Sequence, residues 1–251
     1  MSIGALVLVP NTLDLGAAEV PLHEVLPLAV MQQAAALAHW VAEDARSARA
    51  LLKRIGAVTP LALPLQQIDI RELPRPRKGS REPVPATEWH ALLAPALAGH
   101  DLGLVSEAGL PAVADPGSLL VQAAHAAGVR VLPLAGASSL LLALAASGLE
   151  GQSFAFVGYL PQDAGARAQR LRELEALSRK ARQTQLFIET QYRNAALMEA
   201  MLSALAPATR VAVACGLTLP EGWCRTDTVA GWRARPATLP DRLPAVFSLL
   251  A

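Results

Sequence analysis

The chain has 251 residues, of which 53% are hydrophobic and only 4% aromatic, and its formal net charge at neutral pH is +1. This length and composition suit one large or two small globular domains with a sizeable aliphatic core. The balanced charge excludes a strongly basic nucleic-acid-binding protein, although it allows a local basic patch.

The sequence carries no sign of export or of membrane insertion. The longest uninterrupted apolar run, residues 140–146, is far shorter than the roughly twenty residues that a membrane-spanning helix needs. The first residues lack the basic segment of a signal peptide and lead straight into a predicted strand. Two cysteines in a chain with a large core are expected to be free thiols, so we expect a cytoplasmic protein.

In the first part of the chain, short apolar runs alternate with helical patterns, which predicts an α/β domain with a mostly parallel sheet. The acidic pair Glu43-Asp44 precedes a helix with basic residues near its end, as the helix dipole favours. The proline-rich segment 61–73 gives no clear period. Strands are predicted at 5–10, 39–42, 102–106 and 129–134, and helices at about 45–56, 87–98 and 118–127.

The second part of the chain predicts a further α/β domain. Ser138 or Ser139 can cap its first helix, which Gly148 ends. Residues 229–240 are predicted to be rich in turns, and the expected domains are 1–136 and 137–251. Strands are predicted at 153–158, 184–188, 210–214 and 244–250, and helices at 164–182 and 194–205.

The stretch 102–137 is the most informative part of the sequence. It reads as a strand, a loop, a helix and a second strand, which together make one βαβ unit. The loop, residues 107–117, contains two glycines, two prolines and two acidic residues. It follows the carboxyl end of its strand, and ligands bind at that edge in open α/β sheets.

The same loop carries a family resemblance. Residues 106–111 read Ser-Glu-Ala-Gly-Leu-Pro and residues 115–117 read Asp-Pro-Gly. This order resembles the S-D-A-G-x-P…D-P-G signature of the tetrapyrrole methylase superfamily, and within it the ribosomal RNA ribose 2′-O-methyltransferase I group. Further matches to that group occur in the same order at 9–10, 42–46, 134–139, 156–161 and 188–193.

The sequence departs from that group at several motif positions. Glu107 stands where the group has Asp, Ala45 where it has Thr, and Ala135 where it has Pro. The Gly-Glu pair that precedes the group's last strand is absent, and residues 242–244 read Arg-Leu-Pro instead. The chain therefore looks like a diverged branch of the group.

The resemblance implies two α/β domains with S-adenosylmethionine bound in a cleft between them. The sequence has no glycine-rich nucleotide-binding fingerprint and no His and Cys spacing for zinc. Such a cofactor needs neither, because its methyl group is already activated. Gly109 would let the backbone approach it closely. The implied cofactor-binding residues are Pro10, Ser106, Glu107, Ala108, Gly109, Val113, Ser138, Ser139, Glu189 and Leu217.

A hydroxyl acceptor must lose its proton as the methyl group arrives, so a nearby carboxylate or cation would assist the reaction. Asp44, Arg46 and Glu107 are the catalytic candidates, because all three follow predicted strands whose ends a parallel sheet brings to one edge. A carbon acceptor, as in tetrapyrrole methylation, would need less help from a base. The residues leave both kinds of acceptor open.

Two basic segments, 75–81 and 167–182, could contact the phosphates of an RNA, although solvated surface is the ordinary role of such charges. The resemblance also implies a homodimer. The alternatives are methylation of a tetrapyrrole or another small acceptor, and a regulatory protein that binds S-adenosylmethionine without catalysis. The residues expected to contact RNA are Arg75, Arg77, Lys78, Arg167 and Arg170.

Overall fold

The structure is a computed structural model that describes residues 3–14, 20–76 and 82–251. The chain divides into two compact units, Met1–Ser138 and Ser139–Ala251, and each unit contains its own five-stranded sheet. The predicted fold class, two α/β domains of which the first has a mostly parallel sheet, is confirmed. In the ranges just given, no helix is both long and apolar enough to cross a membrane.

The sheet of the first unit is parallel throughout, and from one edge to the other its strands are residues 69–72, 39–42, 102–105, 5–8 and 130–133. Residues 69–72 form an edge strand that the sequence does not predict, because its charged residues face solvent rather than a core. The strands are β1 (Ala5–Leu8), β2 (His39–Ala42), β3 (Asp69–Glu72), β4 (Leu102–Val105) and β5 (Arg130–Pro133).

Helices cover this sheet and supply aliphatic side chains to its core. Leu51, Leu52 and Ile55 from one of them pack in the same buried cluster as Trp40. The single helix predicted over 87–98 is divided in two, since Pro95 has no N–H to donate to the preceding turn. The helices are α1 (Leu22–Val25), α2 (Leu28–Ala35), α3 (Ala45–Gly56), α4 (Ala86–Leu92), α5 (Ala94–Leu97) and α6 (Ser118–Ala126), with a 3-10 turn at Leu65–Gln67.

The sheet of the second unit is mixed. Its strands are β6 (Phe154–Tyr159), β7 (Thr184–Ile188), β8 (Arg210–Cys215), β9 (Trp223–Thr228) and β10 (Ala245–Leu250). They lie in the order β6-β7-β10-β8-β9. The central strand β10 is antiparallel to both β7 and β8, whereas β6 is parallel to β7. Strands β6, β7 and β8 therefore run in the same direction and end at the same edge.

The prediction of turns over 229–240 is wrong for its first half, which is a helix. The hydroxyl of Thr228 caps it by accepting a hydrogen bond from the N–H of Gly231. Trp232 anchors it, because its side chain is almost fully buried and its indole N–H donates to the carbonyl of Val211. The helices of this unit are α7 (Ser139–Ser147), α8 (Ala164–Ala181), α9 (Asn194–Ala204) and α10 (Val229–Ala234), with a 3-10 turn at Gln191–Arg193.

Candidate functional site

All five strands of the first sheet end at one edge, where the loops that follow them collect the polar residues of interest. Asn11 follows β1, Glu43 follows β2, Arg75 follows β3, Ser106 follows β4 and Gly136 follows β5. Because the sheet is fully parallel, this carboxyl-terminal edge is the expected ligand-binding side of the unit.

Asn11 connects residues 107–117, here called the central loop, to the end of β1. Its buried side-chain Nδ2 donates to the carbonyls of Ser106 at 3.0 Å and Glu107 at 2.9 Å. Its backbone N–H donates to the carbonyl of Gly109 at 2.8 Å, and these two residues form an isolated antiparallel bridge. No local pattern in the sequence singles out Asn11, because its hydrogen-bond partners lie far along the chain.

The central loop holds an unusual number of left-handed residues. Gly109 has a φ of +66°, and the non-glycine residues Ala112 and Ala114 have φ values of 66° and 65°. An L-residue in this region costs about 1–2 kcal/mol, so the surrounding contacts must hold the loop in this form. Backbone strain of this kind concentrates at ligand-binding and catalytic sites.

Two glycines at this edge allow close approaches that other residues would block. A side-chain carbon on Gly109 would lie 3.3 Å from Cδ2 of Leu13 and 3.5 Å from the carbonyl oxygen of Ala137. One on Gly136 would lie only 2.2 Å from Cβ of Pro10. Pro10, one of the predicted cofactor-binding residues, is therefore in direct contact with the turn after β5.

The remaining predicted residues of this edge differ in their exposure. Ser106 and Ser138 are buried and Ala108 and Ser139 half-buried, whereas Val113 is exposed. The Ser106 hydroxyl donates to the carbonyl of Ala108 at 3.1 Å, which stabilises the first turn of the loop.

Glu107 lies close to two further carboxylates at this edge, Glu43 and Asp44. The Glu43 carboxylate accepts a hydrogen bond from the backbone N–H of Glu107 at 3.2 Å. Burial raises the pKa of Glu107, and the negative charges of Glu43 and Asp44 raise it further, while the charge of Arg75 acts in the opposite direction. The guanidinium of Arg75 also donates to the Glu43 carbonyl at 3.0 Å.

Asp115 is the most perturbed carboxyl of the site, and sequence reasoning missed it. Burial raises its pKa from 3.8 to about 6, with a smaller contribution from the charge of Glu43. A side-chain hydrogen bond with Ser106 opposes this change, and the charge of Glu107 adds to it. The Asp-Pro-Gly motif was a signal that could have drawn attention to this residue.

The other two catalytic candidates have different surroundings. The Asp44 carboxylate caps α3 by accepting hydrogen bonds from the backbone N–H of Ser47 at 2.8 Å and from its hydroxyl at 3.0 Å. These bonds lower the pKa of Asp44, so its oxygens are already engaged in a structural role. Arg46 is exposed on the first turn of α3.

In the second unit, the structure brings Glu189 and Leu217 to the same sheet edge, one on each side of the start of β10. Glu189 has a side chain only 4% exposed, and both of its oxygens lie 2.9 Å from guanidinium nitrogens of Arg193. Leu217 is half-buried and packs in the same apolar cluster as Ile188. Whether the two sheet edges complete one cofactor cleft stays a prediction.

The predicted RNA contacts are distributed over both units. Arg75 lies at the first sheet edge, while Arg77 and Lys78 lie outside the described residues. On α8, Arg170 pairs with Glu173 at 3.3 Å and Arg167 donates to the carbonyl of Gln162 at 3.2 Å. Among the residues that the structure describes, no group of His, Cys, Asp or Glu side chains could hold a metal ion.

A groove of about 540 Å³ lies elsewhere in the second unit, between α9 and residues 236–241. Met198, Leu202 and Trp232 contribute to its wall. None of the predicted site residues lines it, so it does not bear on the chemistry at either sheet edge.

Comparison with known proteins gives one family and a group of similarly named relatives. Residues 28–229 match the family model for tetrapyrrole (corrin/porphyrin) methylases. The ribosomal RNA small subunit methyltransferase I of Xylella fastidiosa is 39% identical over 153 residues, which are 61% of this chain and 48% of that protein. Its namesake from Vibrio cholerae is 40% identical over 122 residues, 49% of this chain and 41% of that protein. The chain thus spans about half the length of the curated relatives it matches.

Solved structures resemble the chain over almost its whole length. The methyltransferase CobJ superimposes with a TM-score of 0.57 and 18% identity, covering 99% of this chain and 94% of that one. Uroporphyrin-III C-methyltransferase from Thermus thermophilus, complexed with S-adenyl homocysteine, superimposes with a TM-score of 0.53 and 19% identity. The match covers 98% of this chain and 97% of that one. At these identities the likeness establishes the fold.

Proposed function

This chain belongs to the tetrapyrrole (corrin/porphyrin) methylases, and we propose that it transfers a methyl group from S-adenosylmethionine to a ribose 2′-hydroxyl of ribosomal RNA. The observation that carries the proposal is the strained loop 107–117, which stands at the carboxyl edge of a parallel sheet and has the motif order of the methyltransferase I group. The names of the relatives support RNA as the acceptor.

The residues at the first sheet edge suit this cofactor in charge, and two glycines allow the turns around the edge to pack closely. A side chain on Gly109 would crowd Leu13, and one on Gly136 would clash with Pro10, so glycine is required at the tightest of these contacts. Glu43, Glu107 and Asp115 give the edge a negative potential, which favours a ligand with a positively charged centre. The cofactor, when bound, supplies a methyl group activated by its sulfonium charge, so no nucleophile on the protein is required.

Asp115 is the residue best suited to receive the proton of the acceptor hydroxyl. A pKa of about 6 leaves it mostly ionised at neutral pH, yet makes it a stronger base than an ordinary carboxylate. Glu107 is the second candidate because its pKa is also raised, and Asp44 ranks below both because it caps α3.

The residues of the first sheet edge would hold and orient the cofactor. The proposed cofactor site contains Pro10, Ser106, Glu107, Ala108, Gly109, Val113, Ser138 and Ser139, and the family resemblance adds Glu189 and Leu217. Positioning of donor and acceptor contributes several kcal/mol to such a transfer. The proposed contacts to RNA phosphates are Arg75, Arg77, Lys78, Arg167 and Arg170. The active protein is proposed to be a cytoplasmic homodimer.

Transfer of radiolabelled methyl groups tests this proposal directly. Purified protein is incubated with labelled S-adenosylmethionine and small ribosomal subunits, naked ribosomal RNA or a porphyrin precursor in separate reactions. We expect label only in the RNA, at one 2′-O-methylated nucleotide that mass spectrometry finds in a parent strain and not in its deletion mutant.

Each other outcome supports one alternative. Label in the porphyrin precursor would replace RNA by a tetrapyrrole acceptor. Binding of S-adenosylmethionine in calorimetry without transfer to any acceptor would identify a regulatory, catalytically silent protein.

A further inference from the structure

Both tyrosines of the chain stand exposed at the edge of the second sheet where β6 and β7 end. Tyr159 is the last residue of β6 and lies opposite Ile188 of β7. Tyr192 is in the 3-10 turn that follows β7. Their exposed fractions are 57% and 72%, whereas Trp40, Trp232, Phe187 and Phe247 are almost completely buried. Core packing therefore does not explain where these two side chains lie.

The turn that carries Tyr192 is held rigidly. Arg193 makes a two-point pair with the buried carboxylate of Glu189, and its Nε also donates to the hydroxyl of Thr190 at 2.9 Å. The Glu189 carboxylate accepts the backbone N–H of Thr190 at 2.7 Å. On the other side of the turn, Nδ2 of Asn194 donates to the carbonyl of Leu243 at 3.0 Å. A charge pair with so little exposure is costly to desolvate, so it is better explained by positioning than by stability.

The guanidinium of Arg193 lies 5.5 Å from the centre of the Tyr192 ring. The pair therefore presents a flat, exposed aromatic ring beside a guanidinium whose charge the Glu189 carboxylate balances. Such a surface suits a planar ligand, since the ring can stack against its face and the guanidinium is attracted to aromatic planes. An unpaired nucleobase presents such a face.

Resting on the proposed function, we infer that Tyr192 and Arg193 form a stacking platform for an unpaired base of the RNA substrate. The platform recognises a base that is splayed out of its helix. It therefore contributes to the choice of methylation site and not to the chemistry of transfer.

The experiment compares three variants in steady-state methylation of small-subunit ribosomal RNA from a deletion strain. Tyr192→Ala removes the ring, and we expect a KM for RNA raised about 10- to 100-fold with kcat nearly unchanged. Tyr192→Phe keeps the stacking face and is expected to stay within about twofold of wild type. Phe154→Ala is the matched control, since Phe154 is also an exposed aromatic residue but begins β6 rather than following the strand ends. The affinity for S-adenosylmethionine should be equal in all four proteins.

A fluorescent base separates stacking from a general effect on folding. RNA carrying 2-aminopurine at successive unpaired positions should show quenching on binding at one position. That quenching should persist in Tyr192→Phe and disappear in Tyr192→Ala. If wild type methylates RNA but Tyr192→Ala has an unchanged KM, the platform is refuted while the proposed function stands.

Two further outcomes also overturn the inference. If wild type neither binds nor methylates RNA, the inference fails together with the proposed function. If Tyr192→Ala changes the molecular mass measured by light scattering, the ring contacts a second copy of this chain and not a base.

Discussion

Replacing Asp115 by Asn should stabilise the protein while it abolishes methyl transfer. The carboxyl of Asp115 is destabilised in its charged form, because burial and the charge of Glu43 raise its pKa to about 6 from the ordinary 3.8. An amide of the same shape carries no charge and can keep a hydrogen bond with Ser106. The gain in the free energy of unfolding and the loss of activity would then arise from a single property of one side chain.

The magnitude follows from the two pKa values. The folded protein binds the proton more tightly than the unfolded chain, so stability falls as the pH rises through the window from 3.8 to about 6. Above this window the charged carboxylate costs about 3 kcal/mol, at 1.36 kcal/mol for each pKa unit. At pH 5 about half of that cost is present. The free energy of unfolding of the variant should therefore exceed that of wild type by about 3 kcal/mol at pH 7.5 and by about half as much at pH 5.

Urea unfolding followed by circular dichroism at both pH values measures this difference. Asp241→Asn is the matched control, because the same chemical change at an exposed carboxylate should leave the free energy of unfolding unchanged at either pH. In wild type, the rate of methyl transfer should rise with pH through an apparent pKa near 6. A variant that is less stable than wild type at pH 7.5, or that gains equally at both pH values, would refute the electrostatic account of this residue.

Three further changes test other parts of the site. Gly109→Val should weaken binding of S-adenosylmethionine in calorimetry at least tenfold, about 1.4 kcal/mol. The control is Gly128→Val, at a similar positive φ but with open space around it, which should lower the stability of the protein and leave its affinity for the cofactor unchanged. Arg75→Ala removes the cation that lowers the pKa of Glu107, so carbon-13 NMR titration should show that pKa higher than in wild type, and an unchanged value would contradict the assignment. Glu189→Gln leaves the half-buried guanidinium of Arg193 without its carboxylate and should lower the free energy of unfolding in urea by about 2 kcal/mol. Equal stability of variant and wild type would contradict this prediction.

The sequence was most informative where a segment carries its own structural signal. Strand β2 begins and ends at the predicted residues, because an apolar run is bounded by a polar pair that caps the next helix. The central loop was recognised from its glycines, prolines and acids, since those residue types restrict the backbone locally. The resemblance to the tetrapyrrole methylase superfamily rested on such local motifs and is confirmed.

The structure differs from the sequence prediction where distant contacts decide. Strands β3 and β9 are edge strands rich in charged and polar residues. They are strands because each pairs with a neighbouring strand, although neither has an apolar pattern. Asn11 gains its role only from hydrogen bonds to residues after β4. The pKa of Asp115 depends on Glu43 and Glu107, which belong to other loops of the same edge. No local pattern could have revealed either contribution.

The charges at the first sheet edge restrict how a polyanion could use it. The charge of Glu43 raises the pKa values of Glu107 and Asp115, and the charge of Glu107 adds to that of Asp115. A phosphate group brought among these carboxylates would add a further unfavourable charge. A neutral ribose meets no such penalty, and a sulfonium is favoured by the same carboxylates. Under the proposed function, the phosphates on either side of the target nucleotide must therefore be held by cations outside this cluster. Arg75 is an exposed cation next to this cluster, since its guanidinium donates to the Glu43 carbonyl and its charge lowers the pKa of Glu107.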